Sequence, residues 1–510
     1  MPRRKRILVI GTAPKYLIDS TLAGLDSSAT DLFLLLPERD RGCFEDRKKC
    51  FFKGGFHPLF LPLMKTMAAF RPDEVIIVCG MTYDHDNVVK AVSYYRHFKN
   101  FDLKITVRDR KENPPQMDRP GLLREPLRFV ALGAIALTIK ALSGFVRIRV
   151  GEMFASRLGH LAMESEIYLC EKELGRHENC FDLFYFKDNE ISNQVLAEMV
   201  SARLRVNYGY RHILDAIRRF HLTSEHEILL NTRKLAFVRD SECLMQQTES
   251  HLEFPSKDTN KGRKGLTELG LDPDRPHVCI FGRDSAYLQE AIPENNDADM
   301  QEIRDMRIET FKPGAEYLLD EGYNVLRMGS IVKAPLQITH PGFIDYATSG
   351  KRTEFMDVFI SSSCKFFIGV QSGLMHIPMI FRIPCLCVNV VRLEIIHSCS
   401  PEDLALFKLL WSVKEKRFLT VEEQLKSGMS RWRLEMFANS GIEAVDNTED
   451  EILEATKEIN ARVNGTWTET EEDRDLQKKF RSYFTPSYLN SSYRTPVSSY
   501  FLRKHKKILF

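Results

Sequence analysis

Short apolar, β-branched runs recur along this chain, with room for about one helix between neighbours. That rhythm constrains the fold more than any other feature. Arg6–Gly11 (RILVIG), Asp31–Leu36, Glu74–Cys79, Lys104–Val107, Phe145–Val150 and Asp182–Phe186 read as strands, and Asn87–Phe98 and Ser192–Arg203 as amphipathic helices. Strands alternating with helices build βαβ units and a parallel sheet. A parallel strand is buried on both faces, so it reads as a continuous apolar run. A second series follows the same rhythm: strands Val278–Arg283, Tyr323–Met328, Lys365–Val370 and Cys385–Val391, with helices Thr310–Glu321, Glu354–Ser361 and Leu374–Arg382 between them.

At 510 residues the chain exceeds one core, and two or three domains are expected. The pattern predicts an α/β fold of two Rossmann-like domains facing a cleft: 1–240, a linker 241–276, and 277–425. A mostly helical and polar segment, 426–510, follows. The linker is assigned on its polar, turn-forming run PSKDTNKGRKG. With 43% hydrophobic and 28% charged residues, the composition excludes a collagen-like or wholly disordered chain.

Lys plus Arg number 72 against 70 for Asp plus Glu, so no global attraction to nucleic acid exists, and none is expected as a partner. The 11 cysteines form no C-x-x-C pair, which points to reduced thiols, a cytoplasmic setting and no zinc clamp. After the basic Met1–Arg6, the apolar run Ile7–Ile10 is shorter than the roughly 7–15 residues of a signal-peptide core. Phe129–Ile139 is strongly apolar, but half the length of a spanning helix. It reads as a buried helix or as an interfacial helix at the inner membrane face. The basic tail Arg503–Lys507 solvates a terminus or touches anionic lipid.

The chemistry-bearing segments cluster at strand ends. In Lys365–Asn389 a buried strand meets Gln371–Ser372–Gly373 and then a helix. Exposed helix-start amides there suit a phosphate, with Gly373 allowing close approach and Ser372 donating or capping. Arg283 and Asp284 close one neighbouring strand and Arg327 another, and guanidinium forks suit bidentate phosphate contact. A surface Arg–Asp pair is the plainer alternative. Asp345 and Tyr346 could meet a sugar or base, or serve as turn residues. Arg157, Gly159, His160 and Glu164 fall within one loop and one helical turn, so His160 and Glu164 share a face as a candidate general base, or as a capped-helix contact. No nucleotide phosphate loop, nucleophile elbow or dinucleotide fingerprint is present. No metal and no cofactor is expected.

The order GRDSAYL, GYNVLRMG, IDYA, EFMDVFI, CKFFIGVQSGL and IPCLCVN resembles a bacterial family of glycosyltransferases of surface-polysaccharide synthesis. SRLGHLAMESEIYL and SSYFLRKHKKILF carry the same resemblance, which spans roughly residues 145–510. SGLMHIP is similar to the diphosphate turn of heptosyltransferase-like enzymes, and the Arg-Asp pair to the arginine motif of fucosyltransferase-like enzymes. The resemblance implies a GT-B-like architecture, with an acceptor domain first and a nucleotide-sugar domain second. It implies that Arg283, Ser372 and Gly373 hold a donor diphosphate. Relatives carry His-Val before the Arg-Asp pair, where this chain has Phe281 and Gly282. Together these readings predict a metal-independent glycosyltransferase taking a nucleotide-diphosphate sugar to a polysaccharide or lipid-linked acceptor. A sugar-nucleotide epimerase and a non-catalytic carbohydrate or membrane-assembly protein are the alternatives.

Overall fold

A computed structural model describes residues 5–11, 30–37, 49–52, 74–78, 104–108, 124–187, 190–222, 224–230, 240–283, 286, 303, 305–396, 398–427, 440–485 and 495–510. The chain is α/β and divides into two compact units: Met1–Leu142 with His212–Ser224, and Ser143–Arg211 with Glu225–Phe510. The division therefore falls near 142, with one short excursion, and not at 240.

The first unit holds five parallel strands, β1 (Lys5–Gly11), β2 (Thr30–Pro37), β3 (Lys49–Phe52), β4 (Glu74–Val78) and β5 (Lys104–Arg108), in the order β3-β2-β1-β4-β5. Ile7–Ile10 of central β1 are buried, which explains the unbroken apolar run. The expected helix Asn87–Phe98 lies outside the described residues. Helix Arg124–Leu142 packs Leu132 and Ala136 on Ala216 and Phe220, around the helix Arg211–Arg219.

The second unit opens with strands β6 (Arg147–Met153), β7 (Cys180–Phe186) and β8 (Glu227–Ile228), parallel in the order β7-β6-β8. Helix Leu158–Glu173 follows β6 and is buried from Leu161 to Cys170.

Six further parallel strands form the larger sheet: β9 (His277–Phe281), β10 (Asn324–Arg327), β11 (Phe343–Asp345), β12 (Phe367–Val370), β13 (Cys385–Val390) and β14 (Leu404–Phe407). Their order is β11-β10-β9-β12-β13-β14. The chain winds outward one way from β9 and then returns to start again at β12. The crevice at the carboxyl ends of β9 and β12 is therefore the topological switch point, where open α/β sheets bind ligands.

Two sequence expectations need correction. The run read as a linker contains the helix Ser256–Glu268. Its glycines are a packing face: a Cβ on Gly262 would stand 2.3 Å from the Phe359 ring, and one on Gly265 2.4 Å from Met356 Sδ. Both partners lie on helix Glu354–Ser363, so the two helices approach more closely than side chains would permit. The basic tail belongs to helix Ser499–Leu509, and Arg503–Lys506 are paired internally. Lys504 and His505 contact Glu451 at 2.8 and 2.6 Å, Lys506 contacts Glu472 at 2.7 Å, and Arg503 pairs with Asp473.

Candidate functional site

The two turns that leave β9 and β12 start at the same level. Phe281 is in register with Gly369, and a Cβ on Gly369 would lie 3.1 Å from the Phe281 carbonyl oxygen. Arg283 is two residues beyond Phe281, and Gln371 two beyond Gly369. Arg283 accordingly sits at the switch point. Its carbonyl accepts the Met306 N–H at 2.9 Å, and its Nε faces Asp305 at 3.5 Å. Gly282 is close to Ile308, whose Cδ1 would stand 2.9 Å from a Cβ there, so a side chain here would have to push the Ile308 tip aside. Asp284 lies outside the described residues.

Beyond β12 the chain turns through Gln371–Met375 before a short helix, His376–Ile380. The predicted helix Leu374–Arg382 is thus reduced to five residues, since Ile383 N–H closes back on the Pro378 carbonyl and Arg382 adopts a left-handed φ of 61°. Ser372 Oγ accepts the Met375 N–H at 3.4 Å, a capping contact.

Against this turn stands the start of helix Leu158–Glu173. A Cβ on Gly159 would lie 2.8 Å from Gly373 Cα and 2.5 Å from His376 Nδ1. The segments meet glycine to glycine because no side chain fits between them. His376 Nδ1 donates to the Gly159 carbonyl at 3.3 Å. The structure therefore brings Gly159 and His160 together with Gly373 and His376. Arg157, exposed, precedes the helix.

Burial, with the Arg157 cation, pushes the His160 imidazole down to about 4. Burial, with the neighbouring His160, pushes His376 down to about 4 as well. Two neutral imidazoles thus face the turn at neutral pH. This departs from the expected His160–Glu164 tuning, since a carboxylate partner would raise the histidine. Glu164 is buried, with the Phe154 N–H directed at its Oε2 at 3.5 Å. His376 was not singled out in the sequence, where a histidine in LMHIP reads as part of an apolar face; its place four residues after Ser372 is the one signal.

Arg327, Asp345 and Tyr346 are not gathered there. Arg327 is wholly buried: Nη1 donates to the Ala334 carbonyl at 3.1 Å and to Asp345 at 3.2 Å, while Nε and Nη2 have no hydrogen-bond partner. Asp345 also accepts the Leu336 N–H at 2.7 Å and the Thr348 N–H at 3.3 Å. Tyr346 is buried and its hydroxyl accepts the Thr353 N–H at 3.0 Å. The strand-end position of Arg327 is as expected, but its side chain packs inward across β11 and holds the 334–348 segment. Direct contact of Arg327 or Tyr346 with a donor is closed off in this structure.

A buried lock holds the Leu158 helix in place. Glu166 accepts from Arg382 Nη2 at 2.7 Å and from His251 Nδ1 at 2.9 Å. Arg382 also donates to the carbonyls of Thr248 and Glu249. Glu166, Cys170 and His251 are close enough to ligate a cation, but the cation among them is the Arg382 guanidinium. Burial keeps the Cys170 thiol protonated, pushed up to about 12. Cys385 and Cys387 are both buried in β13, packed in the core.

No protein-family model matches the chain, and no curated protein matches it. Solved structures similar to it include the ADP-heptose LPS heptosyltransferase II of E. coli, at 13% identity over 62% of this chain and 99% of that one, with a TM-score of 0.32. A glycosyl transferase family 9 structure from Veillonella parvula is 11% identical over 76% of this chain and 81% of that one, with a TM-score of 0.21. A UDP-GlcNAc 2-epimerase from Methanocaldococcus jannaschii is 12% identical over 76% of this chain and 84% of that one, with a TM-score of 0.16. Similarities at these identities and TM-scores assign no activity to this chain.

Proposed function

We propose that the chain is a glycosyltransferase that binds a nucleotide-diphosphate sugar at the β9/β12 switch point and passes the sugar to a hydroxyl of a polysaccharide or lipid-linked acceptor. The observation that carries this reading is the apposition of Gly159–His160 with Gly373–His376, at the carboxyl edge of the sheet, where Arg283 lies two residues beyond β9. Arg283 and the amides of the Ser372–Gly373 turn would hold the diphosphate. That group gathers negative charge as the glycosidic bond breaks, so donors fixed in advance stabilise the transition state more than the ground state.

His160 is the candidate base, with His376 beside it. An anion bound nearby favours the imidazolium, so the donor itself would strengthen a histidine held at about 4. The base accepts the acceptor hydroxyl's proton as that oxygen attacks the anomeric carbon, and the diphosphate leaves. Glu164, inside the fold, supports the loop that carries His160.

The test is calorimetric titration of the full chain with UDP, ADP and GDP, followed by incubation of the matching sugar nucleotide alone. Saturable binding with donor stable in the absence of acceptor supports the reading. Silence toward all three diphosphates overturns it. Donor consumption without acceptor replaces it with an epimerase.

A further inference from the structure

Helix Leu158–Glu173 carries Gly159 and His160, but its own first turn does little to fix where it begins. The helices that begin after Thr420, Thr448 and Thr470 are each closed by a capping box. This one begins after Arg157, with no side-chain cap and no acidic residue in its first turn. Its start is placed from outside.

The segment 371–382 touches it at two points. One is Gly159, against Gly373 and His376. The other is Glu166, which accepts from Arg382 Nη2 at 2.7 Å. Seven residues make two turns, so Gly159 and Glu166 share a face about 10 Å apart. The Glu166 side chain is wholly enclosed and that of Arg382 is 13% exposed. The same guanidinium donates to the carbonyls of Thr248, Glu249 and Ile380, while Arg382 keeps a left-handed φ of 61°. A residue with a Cβ holds that conformation only where its surroundings fix it. His251 bridges Glu166 and Glu173 at 2.9 and 2.8 Å, and Cys170 Sγ lies 3.5 Å from Arg382 Nη2.

We propose that Glu166 and Arg382 are positioning residues: their ion pair, two turns along from Gly159, holds His160 and His376 in place against the Ser372–Gly373 turn. Their part in sugar transfer rests on the transferase reading; the placement of the two histidines does not.

Proton NMR titration of the histidines in the ligand-free full chain tests it, with the two signals assigned by His160→Asn and His376→Asn. In the parent both midpoints should lie near about 4, where burial puts them. Arg382→Ala should loosen the contact and admit water, raising both toward the ordinary value of about 6.5 by about one pH unit or more. Arg382→Lys keeps a cation beside Glu166 but cannot serve the carbonyls as well, so it should fold and raise both by about half a pH unit or more. Arg327→Ala breaks a buried pair elsewhere and should leave both midpoints in place. Midpoints unmoved in Arg382→Lys overturn the proposal, as do midpoints that rise equally in Arg327→Ala or stand at the ordinary value in the parent. Calorimetric silence toward diphosphates would remove the transferase reading without moving these midpoints.

Discussion

Arg283 lies two residues beyond β9 and Arg327 ends β10, the neighbouring strand of the same sheet: one residue type in two settings. Arg283 leaves β9 at the switch point, beside the turn that leaves β12. Arg327 ends β10 one strand further out, and its guanidinium is sealed between the Ala334 carbonyl and Asp345. The carboxyl edge of a parallel sheet is therefore not uniform. At the switch point adjacent crossovers diverge to opposite faces and leave a crevice. Away from it, the next loop folds over the strand end and draws a polar side chain inward.

The comparison predicts opposite outcomes for one substitution. Arg327→Ala leaves the Asp345 carboxylate buried with its cationic partner gone, and should cost about 3–5 kcal/mol of stability by urea denaturation. A loss below about 1 kcal/mol would break the contrast. Arg283→Ala should weaken nucleotide-diphosphate binding by about ten- to a hundredfold, the range of about 1.5–3 kcal/mol for a hydrogen bond to a charged group. Its stability should fall by less than that of Arg327→Ala, because the Arg283 side chain is 12% exposed and faces Asp305 at 3.5 Å, whereas that of Arg327 is fully enclosed. Equal loss of folding and binding would make Arg283 a second Arg327.

Gly159→Ala sharpens the same contrast. The new methyl would meet His376 and Gly373, so stability should fall by about 1–3 kcal/mol and nucleotide affinity should fall with it. Gly144→Ala, where nothing lies within 4 Å of the added carbon, is the control. The smallest effect is on pH dependence. Binding an anion raises His160 and His376 from about 4, so protons are taken up on binding. Affinity should therefore climb as pH falls below about 6, by about tenfold in total for each unit by which binding raises a histidine, while at pH 7 His160 stays neutral and able to accept a proton. His160→Asn with His376→Asn should flatten the profile; an unaltered slope would assign it to other groups.

Most strands of both large sheets were legible because parallel strands are buried on both faces, as in RILVIG and KFFIGV; the short β3, β11 and β14, of four, three and four residues, were not read. The turn after β12 was legible from its small residues. Helix Ser256–Glu268 was hidden because Gly262 and Gly265 are turn formers by propensity; only their partners Phe359 and Met356, about a hundred residues on, turn them into a packing face. Arg327 was misjudged because sequence places a residue at a strand end but does not say which way its side chain packs. Asp345 was visible in the sequence, but its pairing with Arg327 was not. His376 escaped notice because its role depends on Gly159, more than two hundred residues earlier.

The central claim is that the β9/β12 switch point holds a nucleotide diphosphate. Calorimetric titration of the full chain and of Arg283→Ala with the same diphosphate tests it most directly. The account predicts saturable one-site binding by the parent, weakened at least about tenfold in a variant that remains folded at the temperature of the titration. Identical binding by the two proteins, or heat of dilution alone from the parent, would contradict it.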